Sequence, residues 1–295
     1  MSEQPEFIGK HYSEDEKADL TEGLHEMERE DRKESIFELE KTPEELKMIR
    51  MSNDIIQNEF QGYGIQKEFH IDPEQIHIYS PEAYQEKYPG ETIISSAESR
   101  GKTIDMQRFE SKETMFIIMM HEMIHLAAHT AFYAEVEGEV GIVHRAKTGY
   151  RLDSPWKEKG KEKFVGLNEA VVELTTHIFM LRHKAEIVET LGINFESMNL
   201  GYYNEWLVFD SIVKTIAKSA EVKYENIVND YIVAQFTGGM MHLRDIDRLY
   251  GKGSLRILAL LGHKEELTPF IQEYFETDSE AKRQEVREKL LPHIE

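Results

Sequence analysis

Met115-Phe116-Ile117-Ile118-Met119-Met120-His121-Glu122-Met123-Ile124-His125-Leu126-Ala127-Ala128-His129 is the stretch on which the reading of this chain turns. Apart from three histidines and one glutamate, every residue in it is apolar. A helix apolar all round is buried, and buried polar groups need partners. Positions i and i+4 share a helix face, so His121 and His125 can turn their imidazoles towards one metal ion. Glu122 lies about 100° round the helix from His121, near enough to reach a metal-activated water without ligating the metal. Two neutral nitrogen ligands and a carboxylate that takes a proton from water divide the work as zinc hydrolysis requires. The competing reading is a buried helix whose histidines are satisfied by core hydrogen bonds.

A second stretch, Gly166-Leu167-Asn168-Glu169-Ala170-Val171-Val172-Glu173-Leu174-Thr175-Thr176, opens the next strong helix. Glu169 and Glu173 share a face among apolar neighbours, where like charges repel unless a cation or hydrogen-bond donors intervene. Zinc would supply the cation: Glu169 would bind it, and Glu173 would accept the outer N–H of a ligand histidine. The plainer alternative is an amphipathic helix whose glutamates face water.

Together the two stretches resemble the thermolysin-like gluzincin group of zinc metallopeptidases, in which a His-Glu-x-x-His helix precedes a helix bearing Asn-Glu-x-x-x-Asp or a close variant. The resemblance covers roughly residues 76 to 180 and implies a zincin-like catalytic core. It assigns His121, His125 and Glu169 as the ligands of one zinc per chain and Glu122 as general base. It makes Asn168 and Glu173 residues that orient the ligands. Glu173 departs from the pattern, which has Asp there. Peptide deformylases also carry a His-Glu-x-x-His helix, but their third ligand is a cysteine, and this chain has none.

His129 lies about 12 Å along the axis from His121 on a straight helix, out of reach of the same ion. Leu126-Ala127-Ala128 shows no helix breaker, so His129 is expected to pack or hydrogen-bond elsewhere. A peptidase also needs a donor for the developing oxyanion. Tyr202 and Tyr203 are candidates, as are His144, Arg145 and Tyr150, and the motif does not choose among them.

The chain has 295 residues, 40% hydrophobic and 10% aromatic, which suits a globular protein with a sizeable core. Its formal charge of -21 and the lack of a basic stripe argue against nucleic acid or an anionic membrane as partner, and favour cationic peptides. Without cysteine, a metal must use His, Asp or Glu. The first residues are neither basic nor strongly apolar, so no secretory signal is expected and a cytoplasmic location is the default. No apolar run reads as a membrane span.

The fold class expected is α+β: a small sheet and the metal helix, then a mainly helical C-terminal half. Residues 1 to 41, with 14 acidic and 6 basic side chains, read as a helical or partly disordered extension. A catalytic domain over 42 to 190 and a helical subdomain over 191 to 295 would follow. Thr42-Pro43-Glu44-Glu45 reads as a capping box, and Ser80 and Ser111 as N-caps. Strands are expected over 75–79, 92–95 and 102–107. Residues 135–166 read as irregular apart from a possible hairpin of 141–143 with 148–152. Helices are expected over 167–190, 202–219, 224–236, 242–250, 254–262, 267–275 and 279–291.

These features point to a zinc peptidase acting on peptide or protein substrates. The alternative is a zincin-fold protein that has lost catalysis and binds or senses, although an intact Glu122 speaks against it. A di-iron bundle built from Glu22-x-x-His25 and Glu122-x-x-His125 leaves His121 idle and places one pair in a polar arm.

Overall fold

The computed structural model describes residues 6–8, 12–31, 37–89, 94–98, 102–137, 140–153, 162–195 and 201–294. The chain is α+β, with small sheets and a helical C-terminal half. It divides into two compact units, residues 1–146 with 176–198, and residues 147–175 with 199–295. No helix among the described residues is long and apolar enough to cross a membrane.

In the first unit, β1 (Glu6–Phe7) and α1 (Glu14–Asp31) form the N-terminal arm, anchored through buried Tyr12 and Leu24. The next helix, α2 (Pro43–Gly62), opens with the expected capping box, Thr42 and Glu45 bonding reciprocally. A three-stranded sheet follows, made of β2 (Ile76–Tyr79), β3 (Ser95–Glu98) and β4 (Thr103–Gln107) in the order β2-β4-β3. Between β2 and β3 lies the short helix α3 (Pro81–Lys87), capped by Ser80 as expected. The central strand runs parallel to β2 and antiparallel to β3. Asp105 on β4 accepts from the Tyr79 and Tyr88 hydroxyls and from Lys87, tying α3 to this sheet.

The His-Glu-x-x-His helix is α4 (Lys112–Ala127), capped by Ser111; it packs on α2, β3 and β4 and buries His121 and Glu122 along with Phe116, Met119, Met120, Met123 and Ile124. Contrary to the sequence reading, the helix does break before His129. Ala128 turns to extended backbone at φ -60°, ψ 153°, with no glycine or proline to mark the place. The chain then enters β5 (Thr130–Glu137), paired in parallel with β1, and His129 meets Glu6 at 2.8 Å. The expectation of an irregular run from Glu135 is corrected as well. The Thr, Phe, Tyr and Val side chains of 130–136 favour extended backbone, and β6 (Val140–Thr148) continues it.

The second unit receives the end of β6, then β7 (Arg151–Asp153) and β8 (Glu162–Lys163), each antiparallel to the strand before it. The expected pairing of 141–143 with 148–152 is corrected: Thr148 ends β6, and Lys147 pairs with Leu152 and Thr148 with Arg151 about a turn at Gly149-Tyr150, where Gly149 takes φ 56°. The next helix, α5 (Val165–Arg182), is unbroken, and its last turns belong to the first unit. It stops short of the expected 190. His183 leaves helical geometry at φ -99°, ψ 13° and bonds Glu59, and α6 (Lys184–Leu191) starts afresh. The helices α7 (Tyr203–Ala220), α8 (Tyr224–Thr237), α9 (Arg244–Tyr250), α10 (Ser254–Leu258), α11 (Thr268–Glu276) and α12 (Glu280–Leu290) complete the second unit. Their core holds Phe209, Ile212, Tyr231, Ile246, Ile271 and Phe275.

Candidate metal centre

Among the described residues one group of metal-capable side chains comes together: His121, His125 and Glu169, with their ligand atoms all within 4.8 Å of one another. The i, i+4 spacing on α4 brings the two Nε2 atoms to 3.1 Å. Two nitrogens bound to one tetrahedral zinc at about 2.05 Å lie about 3.3 Å apart, so the pair is close to that geometry. Glu169 separates the arrangement from a simple pair of histidines, because it adds a carboxylate oxygen to the two nitrogens. His121 and Glu169 each keep only 8% of their surface. This donor set, without thiolate, suits zinc. The 4.8 Å span exceeds the zinc edge, so binding would draw the donors inwards.

Glu122 projects from the same helix and is equally buried. One carboxylate oxygen, Oε1, accepts from the hydroxyl of Ser95 at 2.6 Å. Nothing in the sequence singles out Ser95. It lies 27 positions away, and only the pairing of β3 with β4 brings it to Glu122.

Asn168 is buried at the start of α5, and its Oδ1 accepts from the Tyr150 N–H at 3.0 Å. The side chain thus ties the β6–β7 turn to the helix that carries Glu169. Glu173, one turn further on and also buried, accepts from the Gly201 N–H at 3.2 Å, which ties down the segment leading into α7.

The oxyanion candidates separate. Tyr150 is fully buried, and its hydroxyl donates to the Tyr231 carbonyl and meets His242 Nε2 at 2.8 Å. Burial, helped by the nearby Tyr231 and Asp230, holds its proton well above the usual phenol range. That hydroxyl is committed to the core. Tyr202 and Tyr203 stand at the entrance to α7, 39% and 54% exposed, with Tyr203 stacked on Trp206 at 6.0 Å. Their tether to Glu173 through Gly201 keeps them near α5. His144 and Arg145 fall on β6, but their side chains lie outside the described residues, as does that of His25. Comparison with protein-family models, with curated proteins and with solved structures finds no match.

Proposed function

We propose that this chain is a zinc-dependent metallopeptidase built on a zincin-like core. The observation that carries the reading is the convergence of His121, His125 and Glu169 beside Glu122. His121, His125 and Glu169 would hold one zinc. When bound, zinc polarises a carbonyl and lowers the pKa of water.

The chain's own residues supply the remaining steps. Glu122 takes a proton from the attacking water as the new C–O bond forms, and delivers it to the amine nitrogen as the C–N bond breaks. Asn168 and Glu173 hold the surroundings of Glu169 in place. Tyr203 and Tyr202 remain candidates for the donor that meets the developing oxyanion. The choice of a peptide substrate is supported by β3, the last strand in its sheet's order among the described residues, which carries Ser95 against Glu122. An edge strand offers unpaired main-chain groups with which an extended chain can pair.

The test combines metal content with hydrolysis. After dialysis against a weak chelator, the wild type should retain one zinc per chain, and Glu169→Ala should lose most of it. Glu122→Gln should retain zinc yet cleave a peptide library about 100-fold to 10,000-fold more slowly. Equal cleavage by wild type and Glu122→Gln would sink the reading. Zinc binding without any cleavage by the wild type would favour a zincin-fold protein that binds or senses.

A further inference from the structure

Ser95 opens β3, and its hydroxyl donates to Glu122 Oε1 at 2.6 Å. That length belongs to a charge-assisted O–H···O⁻ bond. A carboxylate as buried as Glu122 needs such a donor, since an ionised oxygen without one is costly in low dielectric. The backbone delivers the hydroxyl with little freedom. Ser95 is in register with fully buried Met106 on β4, and α4 packs on both strands. A slip of one residue in β3 would turn Ser95 to the other face of the sheet.

We infer that Ser95 is a positioning residue for Glu122, its hydroxyl fixing the rotation of the carboxylate so that Oε2 is the oxygen presented to the attacking water. This rests on the peptidase reading. The serine bond persists through the cycle: when Oε2 carries the proton, Oε1 is still an acceptor. The hydroxyl therefore orients Glu122 in both of its states without exchanging a proton itself. The Ser95 hydroxyl touches neither the reacting bond of the substrate nor the ligand nitrogens in this role.

The experiment uses the zinc-loaded full chain with Ser95→Ala, Ser95→Thr, Glu122→Gln and the double variant Ser95→Ala/Glu122→Gln. Ser95→Ala should lower kcat about 10-fold, with KM within about twofold of wild type and zinc content unchanged. Ser95→Thr, which keeps the hydroxyl on a residue suited to a strand, should recover most of the loss. The double variant should be no slower than Glu122→Gln alone. Should Ser95→Ala fail to fold, Ser95→Cys replaces it, with similar volume and a weaker donor. Wild-type kcat in Ser95→Ala, with Glu122→Gln inactive, overturns the inference and leaves the peptidase reading standing. If the wild type cleaves nothing, that reading falls, and the melting temperatures of metal-free wild type, Ser95→Ala, Glu122→Ala and Ser95→Ala/Glu122→Ala decide the Ser95–Glu122 lock separately, since a glutamine would still accept from the hydroxyl. Non-additive shifts support it, and additive shifts overturn it.

Discussion

Tyr150 and His242 show how single side chains in this fold set a response to pH. The Tyr150 hydroxyl has one proton, and the Tyr231 carbonyl can only accept it. His242 Nε2, at 2.8 Å from the same oxygen, must then be the protonated nitrogen of a neutral ring. Burial lowers the pKa of His242 to about 4; Lys147 acts in the same direction and Asp245 opposes them. Because the folded value lies below that of the unfolded chain, the unfolded state takes up the proton first as pH falls. Stability is complete above about 6.5, is lost between about 6.5 and 4, and changes no further from this group below that. His242 is only half-buried, so after allowance for solvent the effect is about 1–2 kcal/mol. His242→Gln, which can still bond Tyr150, should therefore lose less stability than the wild type between pH 7.5 and 4.5 when urea midpoints are compared. Identical losses in both proteins would show that other groups dominate.

At the scale of elements, the His-Glu-x-x-His helix is legible because its signals are local. Ser111 caps α4 and the His, Glu, His spacing follows the helical period, so both could be read along the chain. The capping box of α2 was readable for the same reason. What escaped depends on partners distant in sequence. The end of α4 at Ala127 comes with the pairing of β5 and β1, and the break at His183 comes with its bond to Glu59. Strand β3 begins at Ser95, where the sequence expectation ended, because register against β4 sets it. The start of α5 depends on a similar contact. Gly166 N–H donates to the Leu261 carbonyl at 3.0 Å, and a Cβ on Gly166 would stand 2.7 Å from the Leu261 backbone. Gly166→Ala must push these backbones apart and should cost about 1–3 kcal/mol. Glu169 lies one turn further on, so on the zinc reading the variant should also bind zinc more weakly. A melting curve and a zinc titration would check both, and an unchanged zinc affinity would mean that Glu169 is positioned independently of this contact.

At the scale of the whole molecule, a formal charge of -21 determines what approaches easily. Charge of one sign attracts cationic ligands over several ångströms, and salt shortens that reach to about 8 Å at physiological ionic strength. The N-terminal arm contributes to this field, with Asp15, Asp19, Glu22 and Glu26 exposed along α1. Deleting the arm would not isolate their effect. Glu6 and Phe7 pair with β5, and Glu38 bonds His77 at 2.8 Å, so deletion would also remove structure. Exchanging those four carboxylates for amides keeps the arm and removes only charge. On the peptidase reading, kcat/KM for a peptide carrying several Lys or Arg should fall several-fold from about 20 to 200 mM salt, while that for a neutral peptide changes little. The amide variant should show a shallower fall for the cationic peptide and the wild-type value for the neutral one. Equal salt dependence for both peptides would exclude long-range steering. The same steep fall in the amide variant would instead assign steering to the acidic surface outside α1.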